Sequence, residues 1–286
     1  MNYDNENKGT FSDEEQLLNT GQKLKIGTVL KQIIFAYRAG WRQFLVLSLL
    51  TIISLLGMAA TEVIVFYSLP AAIILFLLSL ASLYYLFRAN AGIILLTRDL
   101  FEGRKRTVKE SYHQTKGLAG TYFAVSLLYG LILILPAIGI GISYELIHNT
   151  AIKYGVIVLL AIPLVFLAAR YSMAIPEAIL LGTNREFKNS KLLVKGNFWQ
   201  VLTVLIVAEG VIILLSQSLV QVSESNFGLA TAILLVVIQM VFQVLTAPIY
   251  GIAPTILYLN LNERKQRIGL PSLNDEKLDG MEGEQK

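Results

Sequence analysis

Long apolar runs joined by short polar and basic segments set the pattern of the chain. Between Leu24 and Phe44, the apolar positions Ile26, Leu30, Ile33, Tyr37, Trp41 and Phe44 recur at steps of three and four. Lys25, Thr28, Gln32, Arg38 and Arg42 fall mostly on other faces. This period predicts an amphipathic helix at the membrane interface, separate from the span that follows because Arg38 and Arg42 interrupt any continuous apolar run. Phe44 to Phe66 is long enough to cross a hydrocarbon core of about 30 Å, and Ala71 to about Leu96 returns after a short turn at Tyr67 to Pro70. Leu118 to Ile138 reads as a third span, ending in a bend at Pro136, Gly139 and Gly141. Tyr154 to about Ile175 and Phe198 to Leu219 read as the fourth and fifth. Phe227 to about Asn260 is the sixth, broken in its inner half by Pro248 and Pro254.

The joints repeat. Lys188, Ser190, Lys195 and Gly196 share a frame with Lys109, Ser111, Lys116 and Gly117, and each copy runs directly into an apolar span. A weaker copy lies at Lys31, Ile33 and Arg38, with Ala39 and Gly40 in the glycine position, so the copies start 78 and 79 residues apart. The hairpin exits Ile93 to Thr97, Ala178 to Gly182 and Thr255 to Leu259 recur at a similar interval. The expected fold is therefore an all-α integral membrane protein with six transmembrane helices arranged as three hairpins. Each hairpin is preceded by a cytoplasmic amphipathic helix, in a threefold internal repeat over about 24–106, 107–186 and 187–268. Residues 1–22 and 269–286 read as disordered polar tails flanking a membrane domain over 23–268, the first without the features of a cleavable signal peptide.

Composition supports the class: 55% of residues are hydrophobic against 15% charged, with a mean hydropathy of +0.60. Charge sets the expected orientation. Eighteen Lys and Arg lie in the segments before the first span, between the second and third, between the fourth and fifth, and after the sixth, whereas the opposite loops hold only Lys153. The positive-inside rule then places both termini in the cytoplasm, in the cell membrane. The basic repeat helices would lie against the anionic lipids of the inner leaflet, the first expected partner. A separate membrane or soluble protein is a second expected partner, and nucleic acid is not expected.

Candidate chemistry is sparse. The absence of cysteine excludes disulfides, thiolate metal sites and thiol catalysis. His113 and His148 are the only histidines and fall on opposite sides of the expected topology, and no phosphate-binding glycine loop is present. No cofactor or metal is therefore expected. The ionisable groups within the spans are the candidates for a site. Glu209 lies about 11 residues into the fifth span, roughly 16 Å deep by helical rise. Arg170 and Arg88 lie in the inner halves of the fourth and second spans, where either could pair with it, and Glu177 shares a helical face with Arg170. The cluster of Glu209, Arg170, Arg88 and Glu177 is expected either to tie helices together or to line a substrate or proton path. Gln239 and Gln243 would hydrogen-bond across helices or line a cavity.

Arg170, Pro176-Glu177, then Ser190, Leu193 and Gly196 before Phe198-Trp199, with a closing Tyr258-Leu259-Asn260-Leu261-Asn262-Glu263-Arg264-Lys265, resembles the glycerophosphodiester phosphodiesterase membrane-domain family and its bacterial inner-membrane relatives. The likeness covers roughly Lys25 to Arg267, departing at Asn260, where the family tends to carry an acidic residue. It implies a six-helix membrane module, sometimes fused to a catalytic domain, and no settled activity for the module alone. The expected function is a non-enzymatic module that scaffolds, regulates or assists membrane-lipid or envelope metabolism through partners. The alternative is a small-molecule or lipid transporter or flippase with a charged intramembrane site. A third reading is a membrane enzyme built on interfacial carboxylates such as Glu177 and Glu263.

Overall fold

The computed structural model describes residues 24–64, 69–104, 106–182, 185–223 and 229–267. Both tails, the centre of the first turn and the side chain of Glu62, which is expected to reach the membrane interface near the end of its span, lie outside the described residues. Among those described the chain is all-helical, and six helical segments are long and apolar enough to cross a membrane: Ile26–Thr51, Leu77–Phe101, Leu118–Leu146, Thr150–Leu181, Phe198–Ser218 and Val237–Arg264. These features make the chain a multi-pass membrane protein.

Helix α1 (Ile26–Ile64) is one continuous 39-residue helix, so the expected separate interfacial helix is not formed. The physical reason lies at Gly40, which stays helical because its missing side chain admits a neighbour: a Cβ there would stand 2.7 Å from a Leu100 methyl. Arg38 and Arg42 are exposed in the first half of the helix, and the Arg42 cation lies 5.4 Å from the Trp41 ring centre. The helix carries both charges without a break in its backbone. Val29, Ile33, Ala36, Phe44 and Leu47 form the buried stripe. Helix α2 (Leu69–Phe101) lies along it, with Gly40 meeting Leu100 and Leu47 meeting Gly92. The rising number on one helix matches the falling number on the other, which defines an antiparallel pair.

Helix α3 (Val108–Gln114) opens on a capping box: the Glu110 amide donates to Thr107 Oγ1 at 3.3 Å, and the Thr107 amide donates to Glu110 Oε2 at 2.9 Å. The hydrogen bond from the Thr107 backbone holds the Glu110 carboxyl below the usual carboxylate range. Its support for the cap is present above the pKa of an unfolded glutamate and is lost as pH falls through the lowered folded value.

Helix α4 (Leu118–Leu146) runs through Pro136 and past the bend expected near residue 138. Gly139 accepts the side chain of Leu160 there, with a would-be Cβ 3.1 Å away. A proline inside a packed membrane helix is tolerated because neighbouring groups satisfy the freed carbonyl. Helix α5 (Thr150–Tyr171) begins at Asn149, whose Oδ1 accepts from the amides of Ala151 and Ile152 at 3.1 and 3.2 Å.

Helix α6 (Ala174–Leu181) stops at Gly182 in the left-handed conformation, and α7 (Glu186–Val194) follows. The fifth apolar segment is built from α8 (Phe198–Leu205), a π-helical turn at Ile206–Gly210 and α9 (Val211–Ser223). The last is built from α10 (Leu229–Thr246) and α11 (Ile249–Arg267). The chain breaks beside Pro248 as expected, whereas Pro254 sits inside α11 without ending it.

Helix α11 is the hub of the core. Ile252, Ala253, Ile256, Leu257 and Leu261 are buried against α1, α2 and the α6–α8 region. This core sits at the end that carries the basic joints, while α4 and α5 present Leu127, Leu131, Leu135, Val158 and Ile162 outward. An outward apolar band on helices of this length is what acyl chains solvate.

At the joints, Ser111 and Ser190 are both fully buried, Lys109, Lys116, Lys188 and Lys195 are exposed, and Gly117 and Gly196 have φ of +94° and +87°. Alanine at either glycine is expected to cost about 1–2 kcal/mol, the penalty of the left-handed region for a side chain with Cβ. Comparing thermal unfolding of Gly117→Ala and Gly196→Ala with that of Gly120→Ala, which has open space around it and ordinary φ, checks this.

Candidate functional site

The four intramembrane charges do not gather. Arg88 reaches the end of α3, where its Nε donates to Thr115 Oγ1 at 3.1 Å and its Nη2 to the Tyr112 carbonyl at 2.8 Å. Its guanidinium carbon also lies 4.1 Å from the Tyr112 ring centre. A cation here satisfies a terminal carbonyl and the negative end of the helix, and burial raises the pKa of the Tyr112 phenol. Arg170 lies over Phe166, 5.3 Å from the ring centre, and its backbone carbonyl accepts from Ser190 Oγ at 2.9 Å. Glu177, in the first turn of α6, is fully buried and accepts from Asn189 Nδ2 of α7. The expected pairing of Glu209 with Arg170 or Arg88 is therefore replaced by three separate arrangements. The Arg88 cation is held by the Tyr112 carbonyl and ring and by the Thr115 hydroxyl, and the Arg170 cation lies against the Phe166 ring.

A cluster that the sequence reading did not single out lies in the basic loop. Asp99 is fully buried and receives Arg106 at 2.8 Å, Arg104 at 3.2 Å and Arg98 at 3.5 Å. The Arg104 amide donates to the Asp99 carbonyl at 2.7 Å, and Gln43 Nε2 donates to the Arg106 carbonyl at 3.1 Å. Three cations counted toward the cytoplasmic charge thus converge on Asp99, and Gln43 ties the loop to α1. The signal available in sequence was the single Asp placed one residue after Arg98 and ahead of Arg104-Lys105-Arg106.

Glu209 has different surroundings. It lies in the π-helical turn, where an extra residue in the turn displaces side chains from their regular α-helical rows. Among the described residues it forms no hydrogen bond or ion pair. Instead it lines a cavity of about 290 Å³, bounded by α2, α4, α5, α6, α8, the π-helical turn, α9 and α11. Tyr129 and Tyr250 stand close enough to Glu209 to feel its charge, and Tyr129 Oη donates to the Ala168 carbonyl at 3.1 Å. Ser172, at the joint between α5 and α6, and Pro254 of α11 complete the wall. Neither Gln239 nor Gln243 belongs to it. The volume is near the lower end of the roughly 300–1,000 Å³ typical of small-molecule sites.

The arrangement offers one carboxylate, tyrosine rings and apolar walls at membrane depth. It can bind and orient a ligand. Among the described residues no three of His, Asp and Glu gather closely enough to hold a metal ion.

Fold and cavity together define a multi-pass membrane protein with an intramembrane recess. Comparison with protein-family models, curated proteins and solved structures finds no match.

Proposed function

We propose that the chain is a non-enzymatic module of the cell membrane, with both termini cytoplasmic, that assists lipid or envelope metabolism by binding and moving a small molecule or lipid. This gives the transporter or flippase reading precedence over scaffolding alone, and the observation that carries it is the cavity at Glu209. A carboxylate at membrane depth is costly. One serving only to tie helices would have a cation beside it, and the two candidate cations are occupied elsewhere. The two basic joints, at Lys109 to Gly117 and Lys188 to Gly196, would seat the module on the anionic leaflet. This agrees with the membrane module that the phosphodiesterase membrane-domain resemblance implies.

The cysteine-free sequence gives a direct test. Cysteine placed at Ser172 or Ala168 in the cavity wall is expected to react in native membranes with a small permeant maleimide. Cysteine at the fully buried Ala178 or Ala253 is expected to stay unmodified. Equal protection of all four positions would remove the binding site on which the proposal depends. The same background tests orientation: an impermeant maleimide should reach Lys116→Cys from the cytoplasmic face and His148→Cys from the opposite face, both positions being exposed.

A further inference from the structure

Three features of the Glu209 cavity limit what it can hold. The first is charge: its lining contains one carboxylate and no Lys, Arg or His among the described residues. A phosphate or carboxylate group would meet Glu209 with no compensating cation, and at this depth such repulsion is little screened. A single positive charge would instead supply the partner that the carboxylate lacks. The second feature is the aromatic wall, since Tyr122, Tyr129 and Tyr250 contribute rings to the lining. A ring face attracts an ammonium group, and more strongly when water is excluded.

The third feature is where the cavity opens. Val165, Ile206, Ile213 and Tyr250 belong to its lining and are also exposed on the apolar flank of the helices, at 42%, 54%, 48% and 42% of their surface. On a membrane-spanning segment that flank faces acyl chains, so the recess communicates with the bilayer interior. A ligand arriving by this route partitions into lipid first and brings an apolar body with it.

We infer that the Glu209 cavity takes an apolar amine, a ligand with one ammonium group, a hydrocarbon body and no anionic group, entering sideways from the lipid. The inference rests on the reading of this cavity as the ligand site and adds its chemical selectivity. The ammonium sits between the Glu209 carboxylate and the tyrosine rings, and the hydrocarbon lies along Ile206 and Ile213 toward the flank. Zwitterionic phospholipid headgroups are disfavoured by the same electrostatics that favour the amine, so ordinary bilayer lipids do not saturate the site.

The test uses the full chain in nanodiscs of phosphatidylcholine, with Ser172→Cys or Ala168→Cys as reporter and three probes of equal chain length: octylamine, octanol and octanoate. Octylamine, protonated at neutral pH, is expected to slow maleimide modification of the reporter about tenfold more than octanol does, equivalent to about 1.4 kcal/mol of added affinity. Octanoate is expected to give no protection. Adding Glu209→Gln should reduce octylamine to the level of octanol, and Glu209→Asp should restore part of the difference. Equal protection by octylamine and octanol, unaffected by Glu209→Gln, would overturn amine selectivity while leaving a binding cavity in place. Reporters that no maleimide modifies would remove the cavity reading and this inference together. Two reporter positions keep the result independent of one substitution's effect on folding, and monodisperse elution of each variant confirms that the protein compared is folded.

Discussion

Replacing Asp99 by asparagine is expected to destabilise the protein by about 3 kcal/mol, near the lower end of the cost of removing one partner from a buried ion pair. The carboxylate is fully buried, whereas Arg98, Arg106 and Arg104 keep 22%, 18% and 51% of their side chains exposed. After the change Arg104 can turn to water, but Arg106 cannot withdraw freely because its carbonyl is held by Gln43. The loss should therefore appear as a lower thermal midpoint in detergent and as earlier proteolysis within the loop that joins α2 to α3. Asp99→Asn combined with Arg106→Gln should cost less than the sum of the two single changes, because the second removes a cation that the first leaves stranded. Strict additivity would show that the ring of arginines is a surface association with no structural role.

The second large effect is expected at Gly251. A Cβ there would stand 2.7 Å from Ile93 Cγ2 and 3.4 Å from Ile93 Cβ. Both atoms belong to the stiff, branched base of an isoleucine in a helix, which has essentially one rotamer available. Gly251→Ala must then push α11 away from α2 and is expected to cost about 2 kcal/mol, with Gly251→Leu worse. Gly40→Ala is the informative comparison. Its closest neighbours are a Leu100 methyl at 2.7 Å and the Phe44 ring at 2.9 Å, both outer parts of their side chains rather than a branched base, so a smaller loss is expected. Cutting Ile93 to alanine in the Gly251→Ala background should recover part of the stability, as read by thermal unfolding. Failure to recover any would place the strain elsewhere.

Much of the architecture was legible because bilayer thickness forces long apolar runs into helices and leaves charge at their ends. The joints at Lys109 to Gly117 and Lys188 to Gly196 were visible as a spacing of lysine, serine and glycine, whereas the burial of their serines was not. What sequence pattern could not show was which glycine breaks a helix and which merely narrows it. Gly117 and Gly196 turn the chain, whereas Gly40 lies in an unbroken helix against Leu100. That difference depends on a neighbour 60 residues away.

The same limit applied to the charges. Glu209 was visible as a lone acid in an apolar run. Its setting beside Tyr129 and Tyr250 was not, since these come from helices far apart in sequence that line one recess with the π-helical turn. Arg88 and Arg170 looked like partners for it by depth alone. Tyr112, Thr115 and Phe166 hold them because carbonyls and ring faces, which carry no formal charge, also satisfy guanidinium groups.

The central claim is that Glu209 is an unpaired, cavity-facing group kept for binding, and a double-mutant cycle with Arg170 tests it most directly. Thermal stability would be measured for Glu209→Gln, Arg170→Gln and the double variant in the same lipid nanodiscs. The expected result is that Glu209→Gln leaves stability unchanged or raises it, since a costly carboxylate is removed, and that the two changes add to within about 0.5 kcal/mol. A loss on Glu209→Gln, with a coupling to Arg170 of more than about 1 kcal/mol, would contradict the claim and make Glu209 a structural tie between helices.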